Sequence, residues 1–252
     1  MYVGGGTPTS IGAELLDKVL ERCHFGAKEF TVEAGRPDTI TSEIVDVMQK
    51  HGVTRVSVNP QTFNDKTLEI IGRKHKSADT YNAYMLVKDK FDVNMDLIAC
   101  LPGETIDDFK RSVDIAVALN PANVTVHTLY MKKGSALKQA GYDNTDFETA
   151  SQMVDYASRK LTSAGYEPYY MYRQKYTSGN LENVGYAKPK KACVYNIDIM
   201  EEDTSIIANG ANGISKKWNK KINLITRCAN YKEPIEYIKH IDEMLERQRK
   251  FL

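Results

Sequence analysis

Short β-branched runs alternate with helix-period apolar stripes over the first two-thirds of the chain. Tyr2-Val3, Glu29–Glu33, Arg55–Val58, Phe91–Ile98 and Asn123–His127 read as strands. Thr105 opens a helix with Asp107 and Asp108 in its first turn, where the helix dipole favours negative charge. Its apolar stripe is Ile106, Phe109, Val113, Ala116 and Val117, and Asn120-Pro121 stops it. Thr145-Asp146-Phe147-Glu148 reads as a capping box for a helix carrying Met153, Val154, Ala157 and Leu161, with Gly165 as its terminator. Gly52 ends the helix of Ile44, Val45 and Met48 in the same way. This alternation implies parallel strands joined by helical crossovers. A doubly wound open sheet and a (β/α) barrel, whole or partial, both fit.

The polar positions separate the two architectures. Nearly every strand ends in a chemically capable group: Gly4-Gly5-Gly6-Thr7, Glu33, Asn59 with Gln61, Asn94 with Asp96, and His127. Side chains alternate along a strand, so Asn94, Asp96 and Ile98 share one face. Carboxylates on successive buried strands need a shared polar cavity, and the C-terminal mouth of a barrel supplies one. The α/β barrel is therefore the expected fold. Beyond residue 166 the character changes. Tyr166, Tyr169, Tyr170, Tyr172, Tyr176 and Tyr186 crowd together with Arg173 and Lys175 among them. Gly179-Asn180 and the Gly185–Lys191 stretch read as turns and a loop. Ile206-Ile207 before Gly210-Ala211-Asn212-Gly213 suggests a short strand and a tight connection. A last helix starts at Glu233-Pro234, with Ile235, Ile238 and Leu245 along one side. Residues 1–165 are thus expected to form the barrel, and 166–252 its last strand and a C-terminal α+β region on the substrate side.

Composition narrows the function classes. The 252 residues carry 34 basic and 33 acidic side chains, a net charge of +1, so a general affinity for nucleic acid or a membrane surface is not indicated. No apolar run approaches the ~18 residues that span a bilayer. Met1–Gly6 has neither the basic nor the apolar region of a signal peptide, and a cytoplasmic protein with reduced thiols is expected. Cys23, Cys100, Cys193 and Cys228 are scattered, with no pair at metal-binding spacing, so no metal ligands are assigned.

Each candidate residue has a plain alternative. The glycine run lets backbone amides approach a ligand closely, or makes a tight turn; it is neither of the nucleotide-phosphate fingerprints. Glu33 binds an ammonium or a sugar hydroxyl, or is a solvated strand end, the commoner case. Asp96, flanked by Val93, Met95, Leu97 and Ile98, needs hydrogen bonds or a partner charge, and chemistry is set ahead of packing there. Gln61 and Arg73 taken singly are ordinary turn and helix-surface residues, His127 a core histidine, and Lys132-Lys133 and Lys216-Lys217 solvated faces. The Tyr166–Tyr176 stretch reads as packing, although an arginine and a lysine among aromatics also suit a flat polycarboxylate.

Taken together and in order, the motifs go further. They are Gly4-Gly5-Gly6-Thr7-Pro8-Thr9, Arg55–Phe63 with Asn59-Pro60-Gln61-Thr62, Asn94–Thr105 with Leu101-Pro102-Gly103-Glu104, Glu182–Pro189, and Gly210-Ala211-Asn212-Gly213. This set resembles the oxygen-independent coproporphyrinogen III oxidase family of radical S-adenosylmethionine (SAM) enzymes. Tyr170-Met171-Tyr172-Arg173-Gln174-Lys175 and Asn180-Leu181-Glu182-Asn183 point to its HemZ-type branch. The resemblance implies a partial (β/α)6 TIM-like barrel whose second strand ends in the glycine run. It implies SAM contacts from Gly5, Gly6, Thr7, Glu33, Gln61, Arg73 and Asp96, with Asp96 at the ribose. It implies a [4Fe-4S] cluster, an electron donor, and coproporphyrinogen III as substrate, two of whose propionates become vinyls with loss of carbon dioxide. Arg173 and Lys175 become candidates for the propionates, and Tyr170 and Tyr172 for the rings. Haem chaperones on the same fold are the alternative.

The family holds its cluster on C-x-x-x-C-x-x-C after the first strand, upstream of the glycine run, and no such motif is present. The expectation is a radical SAM barrel without its first βα unit, inactive without its cluster motif. Cys100 stands where the family has Gly, Lys190 where Gly follows Lys-Pro, and Gly210-Ala211-Asn212-Gly213 replaces Gly-x-Gly-Ala. Loop geometry at these three points is left open.

Overall fold

The structure is a computed structural model that describes every residue except 24–25, 132–134, 144–145, 174–176, 178, 180 and 252. It divides into two compact units, Met1–Val194 and Tyr195–Leu252.

The first unit contains β1 (Tyr2–Val3), α1 (Ala13–Glu21), β2 (Thr31–Val32), α2 (Ser42–Lys50), β3 (Arg55–Ser57), α3 (Asp65–Ile70), α4 (Ser77–Val87) and β4 (Asp92–Ala99). It continues through α5 (Ile106–Leu119), β5 (Asn123–Thr128), α6 (Ala136–Gln139), α7 (Phe147–Ser163), β6 (Glu167–Tyr172) and β7 (Asn183–Ala187). One seven-stranded sheet runs in the order β1-β2-β3-β4-β5-β7-β6. Neighbours from β1 to β5 are parallel, as the alternation requires. β7 lies antiparallel between β5 and β6, so β6 keeps the direction of the barrel strands but is displaced one place outward. Arg55 on β3 bonds Asn123 on β5 across β4, which makes the inner face concave. The result is an α/β half-barrel.

Alternation sets what each face touches. On β4, Val93, Met95, Leu97 and Ala99 are buried against the helices, while Asn94, Asp96 and Ile98 line the inside. On β5, Val124 and Val126 point outward, and Asn123, Thr125 and His127 point inward. Val32, Val56 and Met95 join Leu16, Leu20, Ile44 and Met48 in one outer core. Leu97, Val124 and Val126 join Phe109, Val113, Met153 and Leu161 in a second.

Local signals place the helices. The Thr105 hydroxyl accepts from Asp108 N at 3.2 Å while the Asp108 carboxylate accepts from Thr105 N at 3.1 Å, a reciprocal cap on α5. Asn120 closes α5 in the left-handed region at φ 62°. The cap of α7 is Asp146, whose Oδ1 accepts from Thr149 N at 2.9 Å; Thr145, assigned that role from sequence, lies outside the described residues, as do Lys132 and Lys133.

The change of character near residue 166 falls just before β6, and the compact units part between Val194 and Tyr195. One reading is corrected here. Gly185–Ala187 is strand, not loop, and Gly185 serves a contact rather than a turn, because a Cβ there would collide with the Tyr170 ring. The three positions where the family has glycine are settled as well: Cys100, Lys190 and Asn212 all hold positive φ, at 67°, 64° and 62°. The loops keep a glycine-like backbone under side chains, at roughly 1 kcal/mol each.

The second unit contains most of α8 (Val194–Glu201), a hairpin of β8 (Ile214–Asn219) and β9 (Leu224–Ala229), and helices α9 (Pro234–Lys239) and α10 (Ile241–Phe251). The single helix read from Glu233-Pro234 is thus two, parting at His240. Ile235 and Ile238 are exposed, while Met244 and Gln248 face inward. Asn230 donates to the carbonyls of Ala208 and Gly210 at 3.2 and 2.9 Å, and Gln248 donates to the Ala208 carbonyl at 2.8 Å, which pins the Gly210–Gly213 turn. Lys216 is half-buried and paired with Glu202 at 2.6 Å rather than solvated.

Candidate functional site

The inner face of a parallel sheet is ordinarily apolar. Here it carries Tyr2, Glu33, Asn94, Asp96, Thr125, His127, Tyr170 and Tyr172, with Glu33, His127 and Tyr172 at the C-terminal ends of their strands and Asn94 and Thr125 further down.

At β1 the chain turns through Gly4–Gly6. A Cβ on Gly4 would lie 2.7 Å from the Tyr2 ring and 3.0 Å from the Glu33 carboxyl carbon, so only glycine fits. Nothing lies within 4 Å of the Cβ positions of Gly5 and Gly6, which leaves their backbone open to a ligand. The Tyr2 hydroxyl and the Gly5 amide, the latter at 3.2 Å, both donate to Glu33. Burial raises the Glu33 pKa; these two donors offset part of that, and the nearby Asp96 charge adds to it. Asp96 goes the other way. Burial opposes its ionisation, but His127, Asn94 and Thr125 outweigh burial and hold its pKa below the usual value. Asn94 Nδ2 donates to Asp96 Oδ1 at 2.8 Å, and His127 Nε2 lies 3.8 Å from the same oxygen. The two carboxylates therefore differ in character: Asp96 is a fixed acceptor, whereas Glu33 takes up a proton more readily.

Gln61 lies against Asp96 through the backbone: its amide donates to the Asp96 carbonyl at 3.0 Å and its carbonyl accepts from Ile98 N at 2.9 Å. It is buried and left-handed, at φ 65°, a conformation that strains a non-glycine residue. The next residue anchors it. The Thr62 hydroxyl donates to Glu104 and lies 3.1 Å from Ser112 Oγ. Burial pushes the Glu104 carboxyl up to about 7, and its Oε2 is buried without a hydrogen-bond partner.

Arg73 follows α3 and forms no side-chain hydrogen bond or ion pair with a described residue. Burial lowers its pKa, and the neighbouring Arg36 guanidinium lowers it further. Arg36 itself is held by Asp38 at 3.1 and 2.5 Å. An unpaired, partly desolvated guanidinium beside another cation suits a carboxylate. His75 is buried beside it, donating to the Pro60 carbonyl next to Gln61.

The tyrosines come from β6 and cross β7. The Tyr170 hydroxyl lies 3.1 Å from Thr125 Oγ1, and the Tyr172 hydroxyl 3.1 Å from His127 Nδ1. Their rings stack at 6.4 Å with planes 7° apart. Burial raises the pKa of both phenols, and the Asp96 charge raises it further.

The structure thus brings Gly5, Gly6, Glu33, Gln61 and Asp96 together, with Tyr170 and Tyr172 on the adjoining wall. Thr7 sits at the start of a short helical turn and makes no side-chain cap. Arg173 is exposed and paired with Glu182, and Lys175 lies outside the described residues. Sequence reasoning undervalued His127, which lines the site rather than the outer core. It did not single out Arg55, buried below the site and bonded to Asn123 and to the Lys191 carbonyl at 2.9 Å, with Glu29 3.5 Å away. The parity of Arg55, Ser57 and Asn59 against that of Asn123, Thr125 and His127 carried that signal.

Among the described residues no three His, Cys, Asp or Glu side chains are grouped to hold a metal ion. The cysteines sit apart, with Cys100, Cys193 and Cys228 buried. The residues present do not fit an iron–sulfur cluster, which needs converging thiolates. They do fit SAM, whose ammonium, carboxylate and diol match carboxylates, a free guanidinium and an open glycine backbone.

The model of the radical SAM superfamily matches residues 1–116, and the chain belongs to that superfamily, in its HemZ- and HemN-like group. It is 41% identical to the oxygen-independent coproporphyrinogen-III oxidase-like protein HemZ of Bacillus subtilis over the whole of this chain and 52% of that protein. It is 34% identical to the heme chaperone HemW of the same organism over 52% of this chain and 37% of that one. The solved coproporphyrinogen III oxidase HemN of Escherichia coli shares the fold, with a TM-score of 0.73 at 18% identity, over 96% of this chain and 56% of that one. The chain spans about half the length of the curated HemZ it matches. Among the described residues no helix is long and apolar enough to cross a membrane.

Proposed function

We propose that this chain supplies the SAM-binding and porphyrinogen-binding wall of an anaerobic coproporphyrinogen III dehydrogenase working in the cytoplasm, with a separate electron donor. The reaction removes two propionate carboxyl groups as carbon dioxide and leaves vinyl groups. The convergence of Glu33, Gln61 and Asp96 beside the open Gly5-Gly6 backbone carries this reading. Glu33 takes the methionyl ammonium, Arg73 the carboxylate and Asp96 the ribose, with Gly5, Gly6, Thr7 and Gln61 completing the cradle. SAM supplies the adenosyl group for hydrogen abstraction, and the wall orients it and excludes water. Tyr170 and Tyr172 offer stacked faces to a macrocycle, and Arg173 and Lys175 meet its propionates. The iron–sulfur cluster of the family has no ligand set among the described residues, so no step is assigned to it here.

Calorimetry with SAM tests the cofactor half. Binding by the wild-type chain and a loss of roughly 10-fold or more in Asp96→Ala are expected, the usual effect of deleting a charged acceptor. No binding, or equal binding, overturns the assignment. Likeness to HemW supports the rival reading as a haem carrier. Titration with haem separates the two: no stoichiometric Soret shift is expected, and a tight one replaces the dehydrogenase reading.

A further inference from the structure

His127 stands on β5 two register pairs beyond Asp96, on the same face of the sheet, since Asp96 aligns with Thr125 and Ile98 with His127. Both side chains point into the half-barrel. His127 Nε2 and Asp96 Oδ1 are 3.8 Å apart, too far for a good direct hydrogen bond. A hydroxyl oxygen about 2.8 Å from each atom closes a triangle on that base, accepting from Nε2–H and donating to the carboxylate. The other side of the ring sets the tautomer. Nδ1 lies 3.1 Å from the Tyr172 hydroxyl, and ring and phenol meet edge to face at 6.3 Å between centroids. With the ionised carboxylate ahead of Nε2, the proton belongs on Nε2 and the phenol donates to Nδ1. Asp96 is steadied independently by Asn94 at 2.8 Å, and Asn94 Oδ1 lies 3.4 Å from Thr125 Oγ1. A hydroxyl in that place would meet a donor in His127 and an acceptor in Asp96.

We propose that His127 is a ligand-binding residue that, with Asp96, clamps one hydroxyl of a nucleoside's vicinal diol, Tyr172 fixing the tautomer in which it donates. The inference rests on the assignment of the nucleoside to Asp96 and adds a second, opposite-polarity contact to the same oxygen. The clamp reads the presence of a hydroxyl rather than its charge. It also ties the phenol facing the second ligand to the group holding the first.

The test is a ligand-and-protein double cycle by calorimetry on the full chain, using S-adenosylhomocysteine and its 2′-deoxy and 3′-deoxy forms. In the wild type, removal of one of the two hydroxyls is expected to weaken binding 10-fold or more. In His127→Ala the same removal is expected to cost less than 3-fold. His127→Gln, which presents an N–H and a carbonyl together, keeps most of the wild-type penalty, and Tyr172→Phe falls between. Thermal melts by circular dichroism confirm that each variant folds. Equal deoxy penalties in the wild type and His127→Ala, with tight binding of the parent ligand, overturn the role of His127 alone. Failure of S-adenosylhomocysteine to bind the wild type overturns the nucleoside assignment at Asp96 and His127 with it.

Discussion

Replacing Glu104 by Gln isolates the cost of a buried carboxylate behind the site. Its environment lifts the carboxyl from 4.5 to about 7, chiefly by burial, with Thr62 donating to one oxygen and the other left without a partner. A rise of that size corresponds to about 3 kcal/mol between the protonated and ionised native states. The sign follows from proton binding. The native state holds the proton more tightly than the unfolded chain, so its stabilising contribution is full below about 4.5 and is lost as pH rises through about 7. Glutamine keeps an acceptor for Thr62 and carries no charge, so its stability does not fall over that window. Urea unfolding followed by circular dichroism at pH 5, 6, 7 and 8 measures the difference. Wild type and Glu104→Gln should lie close together at pH 5, and by pH 8 the variant should be more stable by about 2–3 kcal/mol. Parallel curves across the range would show that the carboxyl titrates normally and refute the argument.

Other outcomes follow from the same geometry. Gly185→Ala places a methyl in the Tyr170 ring and should cost about 1–3 kcal/mol in urea unfolding, or displace the ring and remove its stacking on Tyr172. Arg55→Met leaves the carboxylates of Glu29 and Asp92, 3.5 and 3.8 Å from the guanidinium, without that partner below the site. Asp92 stays paired with Lys191 at 2.7 Å, so a loss of about 1–3 kcal/mol in urea unfolding is expected, and a neutral result would refute a structural role for Arg55. Lys190→Gly relieves a left-handed residue at φ 64° on the surface and should stabilise by up to about 1 kcal/mol in a thermal melt; a destabilised variant would contradict the strain. Anaerobic reconstitution with iron and sulfide should leave the chain without a stoichiometric cluster band near ~400 nm, and such a band, quenched by SAM, would overturn the donor-set argument.

The five parallel strands were legible because each announces itself by β-branching and by a polar residue at its end. Asp96 was legible for the same reason: a carboxylate in an otherwise apolar run has to answer to something. What stayed hidden depends on partners distant in sequence. Arg55 reads as part of an ordinary strand until Asn123, 68 residues on, lies across from it. β7 was lost because Gly185 carries the letter of a turn, while its reason for being glycine is a ring on another strand. His127 was set aside as packing because the inward parity of β5 follows only from its register with β4. The left-handed backbone at Cys100, Lys190 and Asn212 could not be read from those residues, since side chains there conceal a glycine's geometry. The break at His240 had no sequence mark, because the residues on both sides suit a helix.

The strict inside–outside alternation along β4 bears on how this chain can change over generations. Asn94 and Asp96 face the ligand wall only while Met95 and Leu97 face the helices. A single inserted or deleted residue between Phe91 and Asn94 would leave a plausible strand and reverse every side chain on it. Methionine and leucine would then line the wall, and a carboxylate would sit in the outer core. Point substitutions elsewhere on the strand alter one contact at a time, whereas a shift in length exchanges the two faces at once. Descendants of this sequence should therefore vary in letters along β4 and hold its length fixed, keeping their insertions for the helix–strand links below the sheet.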